Sequence, residues 1–444
     1  MPLPNPVILL PGITATYLRD MYPLPPESVW EVMPWDRDYR RVSLHPDTQT
    51  VGSRRLEALQ PARIVADQLY EVAYEELVDE LRDNLSTSDR EPVPVYPFGH
   101  DWRQPLNLIE AELDRFIDEV IERTCLMRHY FADGYPARRQ VNLVGHSMGG
   151  LIVAGHLQRK GGDARIGKIV TLAAPFRGSI EPLVKIVTGN ANLGVTPPSS
   201  RDREAARLTP ALYHLLPSFD AGNIVLPPQF GTSLFQPAVW QRSILQTIRR
   251  YILDYGKDPQ NPGDENAVFA ALLQEAMQHR NGIETLDLAA IGFDPNDWLC
   301  VCGIGSKTRV RAAVVAATDS TGNPVPEFRF DPANDLKNDP GTDLTGDGTV
   351  PLLGALPTFL PREMVVCVTP DDFDFWEGLD IILMKAGGGF HGLMPTMDMI
   401  HRLIVNFFRP GTRGDYWGQP APGIADADWA PPTSPPFKIP LIRR

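Results

Sequence analysis

The decapeptide VNLVGHSMGG, residues 141–150, constrains this chain more than any other stretch. It joins the apolar, β-branched run QVNLVG directly to MGGLIVAGHLQRK, whose apolar spacing is helical. Gly145 and Gly149 flank Ser147 at i−2 and i+2. Either glycine would cost stability inside a strand or a helix, so both point to a corner with no room for a side chain. A strand that turns into a helix this sharply lifts the serine hydroxyl off the sheet edge. The first N–H groups of the helix, and the positive end of its dipole, then face the same spot.

The order of elements along the chain suits such a corner. PVILL (6–10) predicts a short buried strand ended by Pro11 and Gly12. Residues 64–83, with Leu69, Val72, Leu77 and Leu81, read as a helix, and VPVYPFG as a strand. A helical stripe follows over 105–130 through Leu108, Ile109, Leu113, Phe116, Ile117, Val120 and Ile121. The corner and the strand IGKIVTLAAP come next. Alternation of this kind predicts a mainly parallel central sheet with helices on both faces. After Pro175 it stops. Residues 180–297 predict a mostly helical cap, with Trp240, Ile244, Leu245, Ile248, Tyr251, Ile252 and Tyr255 on one helical face. WLCVCGIG (298–305) and EMVVCVTP (363–370) resume the sheet, and a last helix begins near Pro395. The expected plan is a core at 1–179 and 298–409, a lid loop at about 13–60, the cap at 180–297, and an extended proline-rich tail at 410–444. With G-x-S-x-G between strand and helix, this is the α/β-hydrolase fold.

A serine is a poor nucleophile without a base, and the base needs an acid to orient it; in this fold the chain order is serine, acid, histidine. Of nine histidines, His391 and His401 lie far enough downstream. His401 sits among core residues of the last helix, whereas His391 lies in the glycine-rich loop AGGGFHGLM, so His391 is the predicted base. DLTGDGTVP offers Asp347 as the acid, with Asp343 in reserve. The same stretch imitates a calcium loop, but the twelfth position from Asp343 is Gly354 and not the required glutamate. Two backbone donors complete the site: the N–H of Met148, after the nucleophile, and that of Ile13, just past Gly12.

A net charge of −13 speaks against a nucleic-acid partner or a polybasic grip on anionic lipid. No apolar run approaches the ~18 residues of a membrane span, and MPLPNPVILLPGI has no basic leader region, so a soluble, cytoplasmic protein is expected. Cys125, Cys300, Cys302 and Cys367 are scattered and read as reduced thiols. No motif asks for a metal or a cofactor.

With these residues in hand, the sequence resembles the lecithin:cholesterol acyltransferase family, which includes lysosomal phospholipase A and phospholipid:diacylglycerol acyltransferases. PVILLPG (6–12), HDWRQPL (100–106, beside the family's YDWR), LVGHSMGG (143–150), TLAAPFRGSIEPL (171–183), GDGTVP (346–351) and FHGLM (390–394) carry the likeness, in family order. The resemblance implies an enzyme that cleaves an acyl ester of a lipid, with transient contact to a lipid interface, and passes the acyl group to an alcohol or to water. It assigns Ser147, Asp347 and His391 as nucleophile, acid and base, and puts Asp101, Trp102 and Arg103 near the site. Residues 11–124 lack the cysteines that form a disulfide near the early lid of animal members, and His100 stands where the family has tyrosine. Two rivals stay open: a general carboxylesterase or thioesterase acting on small soluble substrates, and a non-catalytic binding protein on the same fold.

Overall fold

Val7–Leu10, Val141–His146 and Trp298–Gly303 are buried along their whole length, as strands covered on both faces must be. They belong to a seven-stranded sheet in the order 419–420, 366–368, 298–303, 166–172, 141–146, 7–10, 95–97. Every neighbouring pair is parallel except 419–420 against 366–367. The computed structural model describes residues 2–31, 39–47, 56–59, 61–191, 199–219, 223–331, 344–373, 389–409 and 418–433.

Successive side chains of a strand point to opposite faces, and Val7–Leu10 divides accordingly. Ile8 and Leu10 join Ile109, Leu113 and Leu151, from helices Leu106–Cys125 and Met148–Lys160. Val7 and Leu9 join Leu77, Leu81, Ile400 and Leu403, from helices Glu71–Leu85 and Asp398–Phe408. Three layers result, and the α/β-hydrolase expectation is met. A third apolar cluster holds the helices Ile180–Thr188, Ser200–Leu208, Pro210–His214, Arg242–Tyr255 and Glu265–Glu284 together. Trp240 precedes its expected helix, yet its ring is buried against Phe269 and Phe328.

Several elements differ from the sequence reading. Ile64–Leu69 is a strand, and the helix begins only at Glu71. Its pairing with Thr16–Asp20, Leu18 opposite Ala66, overrides the helical spacing of its apolar residues. Thr16–Asp20 and Glu27–Trp30 form strands inside the expected lid loop, and alternate residues of TYLRD are buried, as a strand covered on one face requires. Ile224–Val225 is a short strand within the region read as helical, and it pairs with the hairpin Ala312–Thr318/Pro324–Arg329. That hairpin gives Ala312, Val314 and Phe328 to the third cluster. In the tail, residues 418–433 run along the sheet edge, where Trp429 donates to the Val365 carbonyl at 2.9 Å.

HDWR proves to be a fastening. The fully buried Arg103 guanidinium donates to both Asp101 oxygens at 2.8 and 2.7 Å, to Glu57 at 3.3 Å and to the Val42 carbonyl at 3.1 Å. Burial by itself would raise the Asp101 carboxyl, but the adjacent guanidinium outweighs it and holds that group below the ordinary carboxylate range. Trp102 packs on Trp30, ring centres 4.8 Å apart, and donates to the Thr16 carbonyl at 3.2 Å. Residues 14–30, Val42 and Glu57 are thereby tied to the core.

Arg103→Ala removes a buried guanidinium from between Asp101 and Glu57 and should cost about 3–5 kcal/mol in urea unfolding. His100 is stacked on Phe98, and burial pushes it down to about 4. Above its unfolded value of ~6.5 the imidazole is neutral in both states; between there and about 4 only the unfolded chain takes up the proton, so stability falls with pH. His100→Gln should make that limb of the stability profile shallower by up to about 1.4 kcal/mol per pH unit.

Candidate active site

Ser147 stands between the strand Val141–His146 and the helix Met148–Lys160, with φ 53° and ψ −122°. Such a backbone is strained for any residue but glycine, and the glycines around it show what enforces it. A methyl on Gly145 would lie 2.8 Å from the Gly149 carbonyl group, and one on Gly149 would lie 2.4 Å from the Leu10 oxygen. Strand, corner and helix are thus in backbone contact, and Ser147 is left at the carboxyl edge of the sheet.

The predicted base and acid meet it there. His391, on the short helix Gly389–Leu393, has Nε2 2.9 Å from Ser147 Oγ and Nδ1 2.7 Å from Asp347 Oδ2. A carboxylate only accepts, so Nδ1 carries the proton and Nε2 is free to accept from the serine hydroxyl. The His391 backbone N–H donates to the Asp347 carbonyl at 3.0 Å. Asp347 Oδ1 accepts from the N–H groups of Thr349 and Val350 at 2.9 and 2.6 Å. Both of its carboxylate oxygens thus accept hydrogen bonds within the protein. Asp343 lies outside the described residues. His401 is buried and donates from Nε2 to the Pro395 carbonyl at 2.7 Å, a structural role as expected.

The loop carrying Ile13 folds over the nucleophile: a methyl on Gly12 would lie 3.1 Å from Ser147 Cβ. Met148 opens its helix, so its N–H has no carbonyl one turn back to bond. The other quoted motifs converge as well. Ser179 Oγ donates to the Thr349 carbonyl at 2.5 Å, joining AAPFRGS to GDGTVP. From the cap, Arg280 reaches the carbonyls of Pro175 and His214 at 3.1 and 2.6 Å, and that of Phe176.

Three polar residues beside the site escaped the sequence reading. Thr308 Oγ1 accepts from the Gly348 N–H at 2.7 Å and braces the acid loop. Tyr74 and His146 lie beneath Gly12 and His391. His146, adjoining the serine, carried a signal by position; Tyr74, on the buried face of a helix, carried none. Among the described residues, Asp114, His156 and Asp163 are close enough to hold a metal. Arg165 pairs with Asp114 and Asp163 at 2.5 and 2.6 Å, and Lys160 with Asp114 at 3.1 Å, so side-chain cations already balance these carboxylates. Cys300 and Cys302 lie side by side on one strand, sulfurs 4.0 Å apart, and all four cysteines are free.

Gly149→Ala forces a methyl against backbone that cannot yield and should lower stability by about 1–3 kcal/mol in thermal or urea unfolding. Gly134→Asn is the control: its left-handed φ of 77° meets open space, and asparagine tolerates that conformation.

The model of the lecithin:cholesterol acyltransferase family matches residues 45–284, more than half of the 444-residue chain. Over 199 residues the chain is 27% identical to lecithin-cholesterol acyltransferase-like 4 of Arabidopsis thaliana, an alignment covering 39% of this chain and 35% of that protein. The match thus spans about a third of the relative's own length. Among solved structures, a chain of the Tle4–Tli4 complex superposes with a TM-score of 0.50 at 15% identity, over 80% of this chain and 89% of its own. That likeness speaks for a shared fold alone. With a family match over half its length on an α/β-hydrolase sheet, this chain belongs to the lecithin:cholesterol acyltransferase family.

Proposed function

We propose that the protein is a serine-dependent lipid acyl-ester hydrolase or O-acyltransferase, with Ser147 as nucleophile, His391 as base and Asp347 as the acid that orients it. One observation carries the proposal: the unbroken row from Ser147 Oγ through His391 to Asp347, at 2.9 and 2.7 Å, on the edge of the sheet. Family membership supplies the substrate class, a lipid acyl ester.

The reaction follows from the proton positions in that row. Ser147 Oγ attacks the ester carbonyl carbon as His391 Nε2 takes its proton. The backbone N–H groups of Met148 and Ile13 hold the negative oxygen that results. When the intermediate collapses, the bond to the alcohol breaks and the alcohol leaves with the proton from Nε2. An acyl-serine remains, with His391 again a free base. A second hydroxyl then repeats the sequence in reverse, its proton passing through Nε2 to Ser147. Water at this step makes the protein a lipase or phospholipase, whereas a lipid alcohol makes it an acyltransferase. Asp347 keeps its charge throughout and stabilises the imidazolium at Nδ1. Among the described residues no helix is long and apolar enough to cross a membrane.

The test is an incubation of wild type and Ser147→Ala with mixed phospholipid and neutral-lipid vesicles and a labelled alcohol, followed by mass spectrometry of the products. Wild type should release fatty acid or form new esters, and Ser147→Ala should fall by roughly 10⁴-fold or more. Equal behaviour of the two proteins would overturn the proposal.

A further inference from the structure

A second buried hydrogen-bonded chain runs beneath the site. The Gly12 N–H donates to Tyr74 Oη at 2.9 Å, Tyr74 Oη lies 2.7 Å from His146 Nδ1, and His146 Nε2 lies 3.0 Å from the His391 carbonyl oxygen. The two ends settle its direction. A backbone N–H can only donate, and a backbone carbonyl can only accept. His146 therefore carries its proton on Nε2, Nδ1 is bare, and the Tyr74 hydroxyl accepts from Gly12 while donating to Nδ1. Each group is used once, in one sense.

Nothing from solvent can stand in for a missing member, because Tyr74 and His146 are only 2% and 3% exposed. Burial, helped by the neighbouring His391 imidazole, pushes His146 down to about 3, so the neutral ring persists. Burial also keeps the Tyr74 hydroxyl protonated well above the ordinary phenol range.

The chain joins three parts of the site that are remote in sequence. Gly12 precedes Ile13 on the loop over the nucleophile, His146 precedes Ser147, and His391 faces Ser147 from the far end of the fold. Asp347 already grips His391 through Nδ1 and through the backbone N–H; His146 grips it by the carbonyl. We infer that Tyr74 and His146 are positioning residues, a relay that sets the loop carrying one oxyanion donor and the main chain of the base in fixed register about Ser147. This rests on the catalytic reading of Ser147 and His391.

Side-chain ¹⁵N NMR of the intact wild-type protein at neutral pH should find His146 protonated at Nε2 and bare at Nδ1, with the Nδ1 resonance shifting in Tyr74→Phe. A proton on Nδ1 overturns the relay, whether or not the protein turns over esters. Kinetics on phospholipid vesicles form the second arm. Tyr74→Phe and His146→Phe should each lower kcat by about 10- to 100-fold, with KM within about twofold of wild type. Because the two act as a unit, the double variant should fall no further than the weaker single variant. Wild-type kcat in Tyr74→Phe, or losses that multiply in the double variant, overturns the proposal. Failure of the catalytic reading would show instead as Ser147→Ala matching wild type on the same vesicles, and the tautomer alone would then decide the relay.

Discussion

The contact on which the rest of the molecule depends is between two stretches of backbone. At Gly145 and Gly149 the end of a strand and the start of a helix touch with no side chain between them, and Gly149 also rests on the carbonyl of Leu10 in the neighbouring strand. That closeness imposes the unusual torsions of Ser147. The strain has to be borne by something stiff, and a sheet buried on both faces and packed against four long helices is stiff in the required sense. The nucleophile needs the hydrolase core less as a container than as an anvil.

Around this corner the loops are held by polar groups placed where apolar contact would lack direction. Arg103 gathers the early segments onto the core by reaching carboxylates and a carbonyl together. Arg280 and Arg207 do the same for the cap, with donors directed at main-chain oxygens. A planar guanidinium with several donors fixes angle as well as distance, which a lysine would not. Each such group is isolated from water, so it stabilises the fold only when all its partners are in place. The early segments and the helices between 180 and 284 are consequently held in fixed geometry although they come from separate parts of the chain.

Much of this could be read from the residues. Glycines at i−2 and i+2 of a serine have few explanations, and the serine, acid, histidine order narrowed Asp347 and His391 from many candidates to positions the structure brings within hydrogen-bonding distance. What could not be read depends on partners remote in sequence. Ile64–Leu69 has apolar residues that suit a helix, and only its pairing with Thr16–Asp20 makes it a strand. The hairpin at 312–329 is the exception, a local signal passed over: at its turn DSTGN, Asp319 accepts from the N–H groups of Thr321 and Asn323. Tyr74 resembled the other buried residues on its helix, because a hydroxyl's partners are not written in its neighbours.

The tail has a consequence for the sheet as a whole. Gln419–Pro420 lies along Val366–Val368, an edge that would otherwise offer its N–H and C=O groups to any passing strand. Pro420 sits opposite Val366, and proline has no N–H to extend the ladder outward. The strand that completes the sheet also stops it from growing. With one ladder donor missing from its outermost strand, this flank is a poor template for edge-to-edge pairing.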